Sequence, residues 1–304
     1  MNMRLRKQIS LAPLSTFHIG GRAEYFISVR RPENLVAAVV AARGARLPYK
    51  ILAGGSNVVF PDTVLHGLLI RIHGGESTFD GIRCRVDAGV KLAHVIRESA
   101  RRGLQGLETL SGIPGTIGGA IVGNAGAYGH SIAEIIDRVE IWDGSRRRWL
   151  AQADCRFRYR ESIFKESSYL ALRAVLKFKR GDAKALQATS RDIIRKRLQK
   201  YAPGLRCPGS FFKNVLVSQV PKRSLERIDP AKIIQGKVPA GYLLEQVGSK
   251  GMRVGGIVIA KFHGNLFINR KHGTAEDVRR LAHILRTKVR RKFGIVLEEE
   301  IRYF

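Results

Sequence analysis

The run Gly112-Ile113-Pro114-Gly115-Thr116-Ile117-Gly118-Gly119-Ala120, continuing through Gly123-Asn124-Ala125-Gly126-Ala127-Tyr128-Gly129, constrains the fold more than any other stretch. It holds seven glycines in eighteen residues and no charged side chain. Glycine at that density permits positive φ values and lets a ligand approach the main chain closely. With no charge present, backbone N–H groups are the main donors on offer. Thr116 is placed to cap a short helix over residues 117–123, whose first N–H groups would face a phosphate. The plainer alternative is a tight connection packed inside a core. Neither G-x-x-x-x-G-K-S/T nor G-x-G-x-x-G occurs here, which argues against a P-loop or a Rossmann fingerprint. The stretch reads as a nucleotide-diphosphate cradle of another design.

A second compact turn, Gly54-Gly55-Ser56-Asn57, ends a β-α-β pattern: a strand over residues 23–29, a helix opened by Arg31-Pro32-Glu33, and a strand over 49–53. The helix has Leu35, Val36, Val39 and Val40 on one face. The turn could hold phosphate oxygens on its N–H groups, although the same four residues also make an ordinary hairpin turn. Residues 64–90 read as short strands with turns at Gly74-Gly75 and Asp80-Gly81, and 90–102 as a helix through Leu92, Val95 and Ile96 that Gly103 stops. A hairpin follows about Asp143-Gly144, with Arg146-Arg147-Arg148 as its solvated arm. Residues 168–179 alternate like a strand, and 182–200 form a basic helix. Residues 240–246 are helical, and 255–268 are strand-like with a break at His263-Gly264. Thr274-Ala275-Glu276-Asp277 is a capping box. It opens a helix with Val278, Leu281, Ala282, Leu285 and Val289 inward and seven Lys or Arg between Arg279 and Lys292 outward; Gly294 ends it and residues 295–304 form a closing strand.

Charge is the one abnormal quantity, 54 Lys plus Arg against 25 Asp plus Glu, or +29. Such a balance attracts polyanions and keeps a basic nucleic-acid-binding protein without redox activity in view as the alternative. The cations are spread along the whole chain without interleaved aromatics, which argues against a base-stacking platform and suits phosphate-rich small ligands. The longest apolar run, residues 35–42, is eight residues, against roughly 18 for a membrane span. No signal-peptide pattern is present, so membrane insertion and secretion are not expected. Cys84, Cys155 and Cys207 are widely spaced with no C-x-x-C. That implies reduced thiols in a cytoplasm and no metal site.

A few residues could carry chemistry. Leu297-Glu298-Glu299-Glu300-Ile301, read as a strand, puts Glu298 and Glu300 on one face, where neighbouring carboxylates would raise each other's pKa. An exposed edge strand paired with the preceding basic helix accounts for the pattern equally well. Ser210 follows a glycine in a turn, Arg160 stands among hydroxyls in Tyr159-Arg160-Glu161-Ser162, and His263 precedes Gly264. Each has an ordinary structural reading. The residues by themselves lead to a nucleotide-binding α/β protein with a basic third domain.

The succession of Thr16-Phe17-His18-Ile19-Gly20-Gly21, Gly54-Gly55-Ser56-Asn57, Ser111 to Ala120, Tyr159-Arg160-Glu161-Ser162-Ile163-Phe164-Lys165 and Gly209-Ser210-Phe211-Phe212-Lys213-Asn214 resembles the UDP-N-acetylenolpyruvoylglucosamine reductases, over nearly the whole chain. It is similar to the branch that lacks a tyrosine-bearing loop insertion. The resemblance implies an α+β chain: an FAD-binding fold of the vanillyl-alcohol-oxidase type in two subdomains (residues 1–70 and 71–182) and a C-terminal substrate-binding domain (183–304). It implies non-covalent FAD, NADPH as hydride donor, and reduction of UDP-N-acetylglucosamine enolpyruvate to UDP-N-acetylmuramate by a monomer in peptidoglycan precursor synthesis. By resemblance, Gly54, Gly55, Ser56, Asn57, Ser111, Gly112, Ile113, Pro114, Gly115, Thr116, Gly118, Gly119, Ala120, Asn124 and Gly126 hold FAD. Ser210 matches the proton donor, Arg160 and Glu300 the groups that stabilise the enol, and Tyr159, Asn214 and His263 the contacts to the sugar nucleotide.

Overall fold

The computed structural model describes residues 4–304, which divide into two compact units. The first holds residues 4–9, 23–54 and 66–199; the second holds 10–22, 55–65 and 200–304.

In the first unit a four-stranded sheet runs in the order Arg6–Ser10, Arg22–Val29, Val64–Ile72, Tyr49–Leu52, the last pair parallel. Helix α1 (Pro32–Gly44) connects two of these strands. It starts with Pro32, whose missing N–H is no loss at a helix N-terminus, and carries Glu33 in its first turn and Arg43 in its last. Its buried face is Leu35, Ala38, Val39 and Ala42. Val36 lies at the margin and Val40 is 51% exposed, so the valine stripe expected from the sequence is rotated. The small alanines let the helix lie close to Ile27, Val29 and Ile70 of the sheet.

A five-stranded sheet follows in the order Arg147–Ala151, Ile136–Trp142, Leu170–Lys177, Arg83–Asp87, Ser77–Asp80, antiparallel throughout. The amphipathic helix α2 (Leu92–Arg101) and the short α3 (Ile117–Val122) bury Val95, Ile96, Ile117 and Ile121 with Val86, Val139, Ala174 and Leu176 of this sheet. Helix α4 (Ile163–Glu166) and the basic α5 (Ala183–Lys200) complete the unit. Arg147 and Arg148 are not a free solvated arm. Arg147 pairs with Glu140 and Glu33, and Arg148 with Asp143 and the Tyr169 hydroxyl.

The second unit is built on α8 (Ala275–Phe293), with the short helices α6 (Lys222–Leu225) and α7 (Ala240–Glu245) beside it. The capping box is present: Thr274 Oγ1 accepts from the Asp277 N–H at 3.0 Å, and the Asp277 carboxylate accepts from the Thr274 N–H at 3.1 Å. Asp62 adds two acceptors, for the N–H groups of Ala275 and Glu276. Gly294 stops the helix in the left-handed region at φ 64°. Val278, Leu281, Leu285 and Val289 pack with Phe211, Phe212 and Phe267 into the core. An antiparallel sheet of Arg253–Val254, Ile257–Ile259 and Phe267–Asn269 lies against them.

Residues 295–304 do not form the single closing strand expected. The Glu298 carbonyl accepts from the Lys213 N–H and the Glu300 N–H donates to the Phe211 carbonyl. Beyond Ile301 the chain pairs parallel to Val58–Val59 instead, through Arg302–Tyr303. A change of partner after Glu300 breaks the ladder into one bridge and one two-residue pair.

Candidate active site

Close approach dictates the glycines of the two loops. A Cβ on Gly54 would stand 2.6 Å from the Gly115 Cα, so the loops touch main chain to main chain only because neither carries a side chain there. Gly55 sits at φ +67°, and a Cβ on it would strike the Leu14 carbonyl. Thr116 caps α3 as its sequence position predicts, accepting from the Gly119 N–H at 3.3 Å. The first N–H groups of that helix do not face outward, however. Ile117 donates to the Val90 carbonyl at 2.9 Å and Gly118 to the Ala88 carbonyl at 2.7 Å. The sequence reading of a phosphate on these donors is therefore corrected: both bonds fasten the loop to the residues that follow the interior strand Arg83–Asp87.

Other polar groups in the same loop are available to a ligand. Ser111 Oγ and Asn124 Oδ1 are buried with no hydrogen-bond partner among the described residues. An unsatisfied buried acceptor or hydroxyl costs roughly 1–3 kcal/mol, and a bound polar group would remove that cost. Ile113 donates its N–H to Leu110, Gly112 lies against the Arg197 side chain, Ala120 is buried in α3, and Gly126 pairs with Ser131. Pro114 links Ile113 to Gly115 and gives the loop no N–H. The unpartnered Ser111 Oγ and Asn124 Oδ1 and the glycine contact between Gly54 and Gly115 fit a dinucleotide held along main chain.

Asn124 also ties this loop to the arginine turn. Its Nδ2 donates to the Arg158 carbonyl at 2.8 Å, and Ser162 Oγ donates to the Val122 carbonyl at 2.8 Å. Arg158 and Glu161 exchange both backbone hydrogen bonds, which places Arg160 at φ 59° in a tight turn. Lys165 Nζ donates to the Arg160 carbonyl, and the Arg160 guanidinium lies 5.8 Å from the centre of the Tyr159 ring. The first unit thus brings the glycine loop, Tyr159 and Arg160 together.

The second unit holds Ser210, Asn214, His263 and Glu300. The segment 210–213 runs between two others: Ser210 is bridged to Leu266 on one side and Phe212 to Glu299 on the other. Ser210 Oγ lies 3.4 Å from the Tyr201 hydroxyl. Asn57 Nδ2 donates to the Glu300 carbonyl at 2.9 Å, so this turn residue holds the C-terminal segment as well. Ser56 accepts at its carbonyl from Thr16. Asn214 Oδ1 accepts from the Ala240 N–H at the start of α7. Burial, with Lys200 nearby, pushes His263 down to about 4 and keeps it neutral at neutral pH. Its Nδ1 accepts from the Asn265 N–H at 3.1 Å.

Two of the three neighbouring acids have a cation partner. Glu298 pairs with Lys213 at 2.9 Å, and Glu299 pairs with Arg286 of α8. Sequence reasoning missed Asn265, which bonds both backbone groups of Phe212 from a fully buried position. Its signal was an amide in an otherwise apolar, strand-like run. Lys213 left no signal, because its partner Glu298 lies 85 residues along the chain, whereas the pairing of Arg286 with Glu299 fits the alternative in which the acidic segment pairs with the preceding basic helix.

Two family models match this sequence: the C-terminal domain of UDP-N-acetylenolpyruvoylglucosamine reductase over residues 199–304, and an FAD binding domain over residues 23–146. A UDP-N-acetylenolpyruvoylglucosamine reductase of Solibacter usitatus is 40% identical over 99% of this chain and 97% of its own length. The chain belongs to this family. A reductase of the same name from a Synechococcus is 34% identical over 98% of the chain and 91% of its own length. Among solved structures, the UDP-N-acetylenolpyruvylglucosamine reductase of Thermus caldophilus matches all of both chains with a TM-score of 0.77 at 29% identity. The fold is accordingly α+β, an FAD binding domain followed by the family's C-terminal domain.

Proposed function

We propose that this chain reduces UDP-N-acetylglucosamine enolpyruvate to UDP-N-acetylmuramate in peptidoglycan precursor synthesis, with NADPH as reductant and one non-covalently bound FAD. FAD, once bound, would supply the hydride-transfer capacity between NADPH and C3 of the enolpyruvyl ether that no side chain has. Everything else falls to the protein. Residues 1–70 and 71–182 carry the flavin in this reading, and 183–304 the sugar nucleotide. Gly54, Gly115 and their neighbours let the dinucleotide lie on bare main chain, and Ser111 and Asn124 offer it polar atoms.

Ser210 donates the proton to C2. Arg160 and Glu300 stabilise the enol, the guanidinium by opposing its negative charge. Tyr159, Asn214 and His263 contact the sugar nucleotide, and a neutral His263 acts there as a hydrogen-bonding group rather than a cation. A serine is a weak acid at its free pKa, so its position among hydrogen-bonding neighbours decides its usefulness. The single observation that carries the reading is the full-length likeness to reductases of this family, 40% identity in one of them. The hydrogen bond from the Glu300 N–H to the carbonyl of Phe211, the residue after Ser210, at 2.8 Å supports the pairing of Ser210 with Glu300. The enzyme works as a monomer on soluble substrates in the cytoplasm; among the described residues no helix is long and apolar enough to cross a membrane.

The purified protein should be yellow, bind one FAD per chain and turn over NADPH repeatedly only when the enolpyruvyl sugar nucleotide is present to reoxidise the flavin. A colourless protein that takes up no FAD on reconstitution would reject the proposal.

A further inference from the structure

We propose that Asn265 is a positioning residue for the reaction, holding Ser210 and Glu300 in register through the backbone of Phe211 and Phe212. The inference rests on the reading of Ser210 as proton donor. It begins with an unusual arrangement at Phe212, a residue with no exposed surface. Both of its backbone groups are bonded by one side chain: Asn265 Oδ1 accepts from the Phe212 N–H at 2.8 Å, and Asn265 Nδ2 donates to the Phe212 carbonyl at 2.8 Å. A carboxamide carries an acceptor and a donor side by side, and these two bonds admit only one orientation of it.

The clamp reaches both proposed catalytic groups. The Asn265 carbonyl accepts from the Phe211 N–H at 3.1 Å, and the Phe211 carbonyl accepts from the Glu300 N–H at 2.8 Å. Ser210 is bridged to Leu266, the residue after Asn265. The Phe211 ring stacks on Phe267 with centroids 3.8 Å apart, which resists rotation of the segment. On its other side Asn265 is tied to His263 through its own N–H. Asn265 itself is 2% exposed, so water cannot replace its two bonds. Losing them frees residues 210–212 to shift, and a misplacement of about 1 Å at a reacting group costs on the order of 10²-fold in rate.

Asn265→Asp separates positioning from mere folding. An ionised aspartate still accepts from the Phe212 N–H but sets a second oxygen against the Phe212 carbonyl; once protonated it restores the donor. Burial favours protonation, so recovery should come above the ordinary aspartate range. The FAD-loaded variant and wild type are compared by stopped-flow in two half-reactions, flavin reduction by NADPH and reoxidation by the enolpyruvyl sugar nucleotide, from about pH 6 to about pH 9. Amide hydrogen exchange is followed in the peptide spanning residues 209–214. At high pH the variant should reoxidise on the order of 10²-fold more slowly, with unaltered flavin reduction and faster exchange confined to that peptide. Both defects should recede as the pH falls. Wild-type reoxidation across the range overturns the inference, and so does equal slowing of both half-reactions with no recovery at low pH. Ser210→Ala run in parallel keeps the two readings apart. If that variant reoxidises normally, the assignment of Ser210 fails, and the exchange data alone then decide whether Asn265 holds the segment.

Discussion

Replacing Arg173 by methionine should destabilise the first unit more than any comparable surface change. Arg173 sits on the strand Leu170–Lys177 and bonds three carboxylates: Asp87 at 2.8 Å, Glu140 at 3.0 Å and Glu33 at 2.9 Å. The Asp87 and Glu140 side chains are each only 10% exposed. Methionine fills similar volume but leaves both without their cation. Breaking one side of a buried ion pair costs about 3–5 kcal/mol. The lower end applies here, because Asp87 keeps the Glu76 N–H at 3.1 Å and Glu140 keeps Arg147 at 2.8 Å. Glu33, half exposed, adds little. A loss of about 3 kcal/mol corresponds to a fall in Tm of roughly 6–12 °C for a body of this size.

The pH dependence has a definite sign. Burial would raise the Glu33 carboxyl, but its own backbone N–H, the Arg173 hydrogen bond and the charges of Arg173 and Arg147 outweigh that and hold it below its ordinary 4.5. A depressed carboxyl contributes stability that is present above the unfolded value and lost as pH falls through the folded one. Wild type should therefore lose the Glu33 contribution as pH falls below that ordinary value, a contribution that Arg173→Met lacks at every pH. The gap between the two proteins, measured by urea unfolding, should be widest near neutrality and should narrow slightly as pH falls below the ordinary 4.5 of Glu33. A loss under about 1 kcal/mol at neutral pH, or a gap that widens in acid, would refute the reasoning.

Gly54→Ala places a Cβ against the Gly115 main chain and should weaken FAD binding about tenfold or more while the circular dichroism spectrum stays the same; full flavin content would contradict it. Reversing Arg279 and Arg286 together should cost about 2 kcal/mol, because Arg286 pairs with the largely buried Glu299 and Arg279 lies 4.6 Å from the Tyr303 ring. A freely solvated face would lose under about 0.5 kcal/mol in the same unfolding experiment. The +29 charge should steer anionic substrates, so kcat/KM should fall as the Debye length shrinks from about 10 Å at 0.1 M salt to about 3 Å at 1 M. A salt-independent kcat/KM would leave the charge without a part in capture.

Legibility followed range. The Thr116 cap, the Thr274–Asp277 capping box, the Gly294 stop and the Asp143-Gly144 turn are each decided within about four residues, and each stands where the sequence puts it. The α1 face was misjudged because valine outranks alanine in hydrophobicity, whereas packing against a sheet rewards the smaller side chain. The donors of α3 were misjudged because nothing local reveals that residues 88–90 pass beside them. Arg173 with Asp87, Arg286 with Glu299 and Asn265 with Phe212 are pairings across 86, 13 and 53 residues. In a chain with this many cations, sequence alone cannot choose which arginine meets which acid.

The C-terminal segment shows what a broken ladder can do that a regular strand cannot. At Glu300 the N–H points to the Phe211 carbonyl and the C=O receives the Asn57 side chain, two partners separated by about half of the chain. In an unbroken antiparallel pair, a residue's N–H and C=O go to the same neighbouring strand. Here the two bonds pull in different directions, so the Glu300 Cα is restrained by both the segment that bears Ser210 and the turn that begins at Gly54. Two residues later the ladder to Val58–Val59 takes over at Arg302, and Ile301 between them is buried, which anchors the far side. A carboxylate that must meet a developing charge gains from a base held this way, because little reorganisation is left for the moment of reaction. The price in regular secondary structure is one short gap in pairing.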